Sequence, residues 1–316
     1  RMETATQNGI KRAVIVGGGL IGIEMAEMFH SRHIPVTFLV RESSFWNAIL
    51  PAEESDMINN HILAHGIDLR LGDELQEING ENGKVKSVIC KNSGEQIPCD
   101  FVGLTVGVSP NIDIVKATEI RTNKGIVVDA YLQTSISDIY AIGDCAELSH
   151  PDAGRKSIEA VWYTGRMMGK TVAQTICDKP TKYNPGIWFN SAKFFDIEYQ
   201  VYGNIPTNIP ENITSLYWQH PSENKSIRIN FEKSSRAVTG FNLLGIRYRQ
   251  VVCEKWIRDK THIETVIENL SLANFDPEFF DQYEGAFLEM YNQKSGKSLT
   301  LKSKRKLSMV TKFLFG

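Results

Sequence analysis

The chain has 316 residues, 42% hydrophobic and 23% charged, with a formal net charge of -2. That composition is ordinary for a water-exposed globular protein. The near-neutral balance gives no global pull toward nucleic acid, and no apolar run approaches the roughly 20 residues that cross a bilayer. Residues 12–17 read as a short buried strand, residues 20–31 as a helix and residues 35–40 as a second strand, together one βαβ unit. A helix over 52–64 stops at Gly66. Short strands are expected near 68–71, 74–78, 84–90 and 95–97, separated by the turn signals Asn79-Gly80 and Asn82-Gly83. Residues 100–106 are strand-like again. Residues 124–145 form a strand-turn-strand whose last strand, 139–142, delivers Gly143 and Asp144, and a helix is expected near 156–177. Composition shifts at Pro180 and Pro185, and residues 186–256 carry aromatics in alternating patterns. Residues 262–292 are helical and acidic.

The five cysteines, Cys90, Cys99, Cys145, Cys177 and Cys253, include no CxxC spacing. They read as free thiols of a reducing, cytoplasmic compartment. No signal peptide opens the chain, and the first residue is Arg1, not Met, which points to a fragment. The pairs His30/His33 and His61/His65 have helical spacing. A metal site at the second pair is conceivable, but no acidic or cysteine partner accompanies it in sequence. Both pairs are read as solvated helix faces, and no metal is expected.

Gly17-Gly18-Gly19-Leu20-Ile21-Gly22 fits G-x-G-x-x-G between a strand and a helix, the context that makes this motif a dinucleotide loop. Gly17 permits the tight turn, Gly19 lets the backbone approach a pyrophosphate, and Gly22 lets helix and strand pack. Leu20 and Ile21 supply helix N-terminal N–H groups for the same phosphates. Where an NAD site places a ribose-binding acid, this chain has Val40, followed by Arg41 and Glu42. Arg41 can pair a 2′-phosphate in bidentate fashion. It can equally be a surface residue at a strand end. NADPH is favoured over NADH.

The string from Thr134 to Asp144, Thr-Ser-Ile-Ser-Asp-Ile-Tyr-Ala-Ile-Gly-Asp, resembles the second flavin motif of the pyridine nucleotide-disulphide oxidoreductase family. The loop Gly107-Val108-Ser109-Pro110-Asn111 is similar to that family's exit from its nucleotide domain. Gly125-Ile126-Val127-Val128-Asp129 is similar to the strand before the flavin motif, and residues 1–5 to the linker entering the nucleotide domain. The resemblance covers residues 1–178. It implies FAD and NAD(P)H as cofactors. Gly107 would then lie at the NAD(P) site, while Gly143 and Asp144 would line the FAD site, with Asp144 accepting a hydrogen bond from a ribitol hydroxyl. The family's first FAD glycine loop is absent from these residues, so the chain alone is expected to bind FAD poorly.

The fold class is therefore expected to be α/β: a Rossmann-like NAD(P)-binding domain inserted in a partial FAD-binding domain, plus a smaller C-terminal α+β domain. The boundaries read as a linker over 1–9, the NAD(P)-binding domain over 10–112 and the return segment of the FAD domain over 113–180. An α+β interface domain follows over 181–270, then a helical segment and basic tail over 271–316. The string from Pro185 to Gly203 resembles the ferredoxin and rubredoxin reductase and apoptosis-inducing-factor branch, departing from its pattern at Asn190 and Lys193. There Trp188, Phe189, Phe194 and Phe195 either approach the flavin ring or pack a core, and Trp162 and Tyr163 could also reach the ring. His220-Pro221-Ser222-Glu223 reads as a turn rather than the acid/base element of the disulphide reductases. No catalytic side chain is assigned, because hydride transfer to a flavin is the cofactor's own chemistry.

The expected activity is a FAD-dependent NAD(P)H oxidoreductase, with a small redox protein as favoured electron acceptor. An NAD(P)H oxidase or quinone reductase, and a non-catalytic redox-sensing flavoprotein, stay open. So does a homodimer through the C-terminal domain. The tail over 293–312 carries seven basic residues and no acid. It is either a solvated terminus or a docking surface for an acidic carrier or an anionic membrane.

Overall fold

The computed structural model describes residues 2–7, 9–152 and 154–302. The chain divides into two units, Arg1–Gly107 with Ser191–Gly316, and Val108–Asn190.

The first unit opens with α1 (Met2–Gln7) and β1 (Ala13–Val16). All four residues of β1 are buried, as expected of a parallel strand covered on both faces. α2 (Leu20–His30), β2 (Val36–Val40), α3 (Ala52–Ala64) and β3 (Asp68–Leu71) follow. β4 (Leu75–Glu81), β5 (Lys84–Cys90) and β6 (Gln96–Pro98) make a separate antiparallel sheet before β7 (Phe101–Leu104) rejoins the first one. The order is β3-β2-β1-β7, all parallel. The strands next in sequence leave β1 on its two sides. The carboxyl end of β1 is therefore a topological switch point, where open α/β sheets bind ligands.

In the second unit, β8 (Ile126–Val128) pairs in parallel with β9 (Ala146–Leu148), and α4 (Trp162–Ile176) follows. Ile126, Val128, Leu132, Ala141, Ala146, Met168 and Val172 form its core. Two sequence expectations are corrected here. Residues 139–142 are not a strand. Asp138 takes a left-handed backbone, φ 63°, and only Tyr140 finds a bridging partner, Gln133. A ladder cannot extend from one bridge. Gly143–Cys145 is a 3-10 turn, so Asp144 precedes a strand instead of ending one. The helix expected from 156 starts at Trp162, because Arg155 engages Glu159 (Nε to Oε1, 2.6 Å) and Val161 is extended.

β10 (Phe189–Phe194) begins at the end of the second unit. With β11 (Ile197–Gly203), β12 (Ile213–Gln219), β13 (Ser226–Glu232) and β14 (Val238–Leu244) it forms a sheet of order β10-β11-β14-β13-β12. β11–β14, β14–β13 and β13–β12 pair antiparallel. α5 (Gln250–Arg258), α6 (Ile263–Glu268) and α7 (Glu284–Ser295) complete the α+β arrangement. The segment expected to be helical over 262–292 is α6, a 3-10 turn at Leu270–Leu272 and α7, with no helix over 273–283. Pro277 lacks an N–H, and Asn274 spends its amide on Glu284 at 3.0 Å. The loop at His220 is a turn: its Nδ1 accepts from the N–H groups of Ser222 and Glu223 at 3.3 and 3.0 Å.

The antiparallel sheet is fastened to α3 by a buried ion pair. Arg228, on β13, is 3% exposed and Glu54, on α3, is 0% exposed. Arg228 donates to both Glu54 oxygens at 2.7 Å, to Glu53 at 2.8 Å and to Ser215 at 2.8 Å. Burial pushes the Glu54 carboxyl up against the pull of Arg228. Phe194 and Phe195 are buried. Phe194 packs on Phe45 and Trp46, with ring centroids at 5.8 and 5.5 Å. Phe195 packs on His61 and His65, with ring centroids at 5.9 and 4.2 Å, so both aromatics are buried among side chains of the first unit. The second histidine pair is also corrected. His61 is buried, not solvated, and it has an acidic partner, Asp196, at 2.5 Å.

Of the basic tail, Lys297 pairs with Glu264 and Lys302 with Glu268. Lys304, Arg305, Lys306, Lys312 and the apolar residues from Leu307 to Phe315 lie outside the described residues. Among the described residues no helix is long and apolar enough to cross a membrane.

Candidate dinucleotide site

The glycine loop sits at the carboxyl end of β1, and its four glycines differ in why they are glycine. Gly17 has φ +115°, and a Cβ there would lie 2.4 Å from the Thr105 carbonyl oxygen. At Gly22 a Cβ would meet the Gly17 oxygen at 2.3 Å and the Phe38 ring at 3.0 Å. Gly18 lies against Val40, whose Cγ1 would be 2.7 Å from an added Cβ. These three are demanded by the fold. Gly19 is not. Its backbone is extended, φ -104°, and no atom lies within 4 Å of a Cβ placed there. Neither strain nor packing requires glycine at this position.

Gly19 is the N-cap of α2 and offers no side-chain cap. The first N–H groups of the helix, those of Leu20, Ile21 and Gly22, have no intrahelical carbonyl. This end of the helix carries its partial positive charge. Leu20 is half-buried and Ile21 is 52% exposed. Thr105 holds the loop from the other side. Its N–H and hydroxyl both donate to the Val16 carbonyl at 2.8 Å, and the hydroxyl also reaches the Gly17 oxygen at 3.2 Å. Two residues on, Gly107 has φ +113° and open space around it.

Val40 is fully buried against Gly18, so the end of β2 presents no carboxylate from that position. Arg41 is exposed and donates to Glu42 at 2.8 Å. The hydrogen bond to Glu42, followed by its charge, raises the Arg41 pKa and keeps the guanidinium charged.

In the second unit Gly143 has φ +74° and no neighbour within 4 Å of an added Cβ. Asp144 is exposed beside it. α4 packs against this turn: the Gly143 N–H points at the Met168 sulfur, 3.4 Å away, and a Cβ on Gly165 would lie 3.4 Å from Gly143 Cα. Tyr163 lies 4.9 Å from Phe189 between ring centroids, Trp188 is covered by the Arg155 guanidinium at 5.2 Å, and Trp162 is 68% exposed. The open Gly143 backbone and the exposed carboxylate fit one wall of a flavin site, as the Gly19 opening fits a pyrophosphate.

The pyridine nucleotide-disulphide oxidoreductase family model matches residues 1–174. The chain belongs to this family. A nitric oxide reductase FlRd-NAD(+) reductase of Salmonella heidelberg is 35% identical over 139 residues, which are 44% of this chain and 36% of that protein. An NAD(P)H sulfur oxidoreductase (CoA-dependent) of Pyrococcus abyssi is 31% identical over 198 residues, 62% of this chain and 44% of that protein. The chain thus matches less than half the length of these relatives. Among solved structures, a NAD-dependent persulfide reductase from A. fulgidus aligns with a TM-score of 0.77 at 22% identity, covering 93% of this chain and 57% of that one. A ferredoxin reductase from Rhodopseudomonas palustris aligns with a TM-score of 0.67 at 24% identity, covering 77% and 59%. These structures share the fold of the pyridine nucleotide-disulphide oxidoreductases.

Sequence reasoning missed Thr105 and Met168. Thr105 stands two residues before Gly107 in an ordinary strand-end string. Nothing local shows that its hydroxyl reaches back 88 residues to Gly17.

Proposed function

We propose that this chain is the NAD(P)H-binding part, with the return segment of the FAD domain, of a FAD-dependent NAD(P)H oxidoreductase delivering electrons to a small redox protein. Gly19 carries the reading. It is the one glycine of the loop that neither backbone strain nor packing explains, and it is the N-cap of a helix whose first N–H groups have no intrahelical carbonyl. A pyrophosphate bound there accounts for the missing side chain. Residues 10–112 would hold the nucleotide and residues 113–180 one side of the flavin.

When bound, the flavin supplies hydride acceptance and onward electron transfer. The chain's own residues bind and orient. Leu20, Ile21 and Gly22 present N–H groups to the phosphates, and Thr105 fixes the turn that aims them. Gly107 keeps the second loop free of side-chain bulk. Gly143 would do the same at the flavin, and Asp144 would accept a hydrogen bond from a ribitol hydroxyl. The carrier-protein acceptor is supported by the name of the Salmonella relative, a reductase acting between FlRd and NAD(+).

The test is NAD(P)H oxidation by the intact flavoprotein with a rubredoxin- or ferredoxin-type carrier, a quinone, or oxygen alone. The carrier is expected to raise turnover at least about tenfold over oxygen, a barrier difference of about 1.4 kcal/mol. Oxygen consumption as fast as carrier reduction would replace this reading with an NAD(P)H oxidase.

NADPH is the preferred donor in this reading, because Val40 leaves no ribose-binding acid and Arg41 can pair a phosphate. Glu42 occupies that guanidinium and limits the preference. Arg41→Ala is expected to lower the NADPH-to-NADH ratio of kcat/KM roughly two- to fivefold, and Glu42→Gln to raise it similarly, on the scale of exposed ion pairs. A ratio unmoved by either substitution would make Arg41 a bystander.

A further inference from the structure

We infer that His61, His65 and Asp196 form a binding site for one divalent transition ion of the zinc class, clipping α3 to the β10–β11 hairpin. None of the three residues belongs to the nucleotide loop. His61 is in the last turn of α3 and His65 is its C-cap, so four-residue spacing puts both rings on one side of the helix. Asp196 lies 135 residues away in sequence, at the tip of the hairpin between β10 and β11. The three ligand atoms lie within 4.8 Å of one another.

The hydrogen bonds around the rings set up the lone pairs. His65 Nδ1 lies 2.9 Å from the His61 carbonyl oxygen, which can only accept, so Nδ1 carries the proton. The Nε2 of a neutral His65 then presents a lone pair toward the Asp196 carboxylate, 4.0 Å away. A lone pair facing a carboxylate is unfavourable without a cation between them. This arrangement, a ring N–H tied to a backbone carbonyl and the other nitrogen free, is typical of metal-binding histidines. His61 Nε2 is 2.5 Å from Asp196, and its Nδ1 is 3.0 Å from the Asn224 amide nitrogen. Rotating the Asn224 amide presents its oxygen instead. His61 then holds its proton on Nδ1, and Nε2 is free to ligate.

Distances fit an ion after a small adjustment. Bonds of about 2.0–2.2 Å to nitrogen and oxygen place tetrahedral ligand atoms roughly 3.3–3.5 Å apart. The observed 2.5 and 4.0 Å bracket that spacing. The mobile partner is Asp196, 78% exposed, whereas His61 is 6% exposed. The carboxylate can shift by about an ångström while the imidazoles stay. The hairpin has a specific shape: Phe195 holds a left-handed backbone, φ 56°, which a bulky side chain adopts only when its surroundings impose it. Its ring stacks on His65 at 4.2 Å and 19°, fixing both. The α3 C-terminus adds a partial negative charge that favours a cation. Two imidazoles and one carboxylate suit zinc-class ions, and the exposed side leaves the fourth position to solvent.

The experiment is titration of the tag-free full chain with Zn(II), followed by calorimetry, and with Co(II), followed by visible absorption. The parent protein is expected to take up one ion per chain, to develop the intense Co(II) bands of four-coordination, and to melt at a higher temperature with the ion present. His65→Ala and Asp196→Asn, both at partly or largely exposed positions, are expected to bind at least about tenfold more weakly. His33→Ala, at an exposed histidine outside the cluster, is expected to bind as the parent does. Circular dichroism of each variant without metal establishes that it is folded. No saturable uptake by the parent, or unchanged affinity in folded His65→Ala and Asp196→Asn, overturns the inference.

Discussion

Gly19→Leu is expected to weaken NAD(P)H binding about 100-fold or more, some 2.8 kcal/mol, while leaving the folded chain as stable as the parent. The two effects separate because the space beside Gly19 is empty of protein: no atom lies within 4 Å of a Cβ. Its φ of -104° suits any L residue. A leucine there takes the pyrophosphate's place in front of the α2 N–H groups. Gly22→Leu is the contrasting substitution. Its Cβ would stand 2.3 Å from the Gly17 oxygen, so it must distort the loop and lower stability by about 1–3 kcal/mol, as overpacking does. Calorimetric titration with NADH and NADPH, beside thermal melts of both variants, reads the pair. Parent-like affinity in Gly19→Leu would remove the nucleotide from this loop.

Arg228→Ala is expected to destabilise the unit formed by the two sheets and α3 by about 3–5 kcal/mol, the cost of stranding a buried charge. For a chain of this size that lowers the melting temperature by on the order of 10 °C. Glu54 is wholly buried and takes two hydrogen bonds from Arg228, so its carboxylate has no water to turn to. Glu53, half in solvent, loses little. The double variant Arg228→Met with Glu54→Leu is expected to recover most of the loss, because well-packed apolar groups replace buried ion pairs at small cost. Urea or thermal unfolding measures both. A single Arg228→Ala variant within about 1 kcal/mol of the parent would show that water reaches Glu54 and that the pair is not a fastening between the layers.

The parallel sheet was legible because its signals are local. β1 is a run of four apolar residues, a glycine loop follows at once, and α2 shows its period directly after. The flavin-like string was legible as a string, yet its local structure was not. Ile139 to Ile142 look like a strand by composition, but a strand exists only where a neighbour runs beside it. The single bridge from Tyr140 to Gln133 does not make one. The acidic segment over 262–292 was legible as helical, yet where its helices stop was not. Pro277 and the Asn274–Glu284 hydrogen bond break it.

The sequence by itself determined which backbone positions must be free of side chains, since glycine spacing is a covalent fact: Gly17, Gly19 and Gly22 around a helix start, and Gly143 before Asp144. It also determined the parallel-sheet layer, through periodicity. Tertiary structure alone decided why each glycine is there, because that depends on what stands opposite: Thr105 at Gly17, Phe38 at Gly22, nothing at Gly19. It alone paired Arg228 with Glu54 across 174 residues and brought Asp196 to His61 and His65. Side chains meet by the packing of elements whose separation along the chain carries no trace of the contact, so a cluster built from distant residues becomes visible only when the chain has folded.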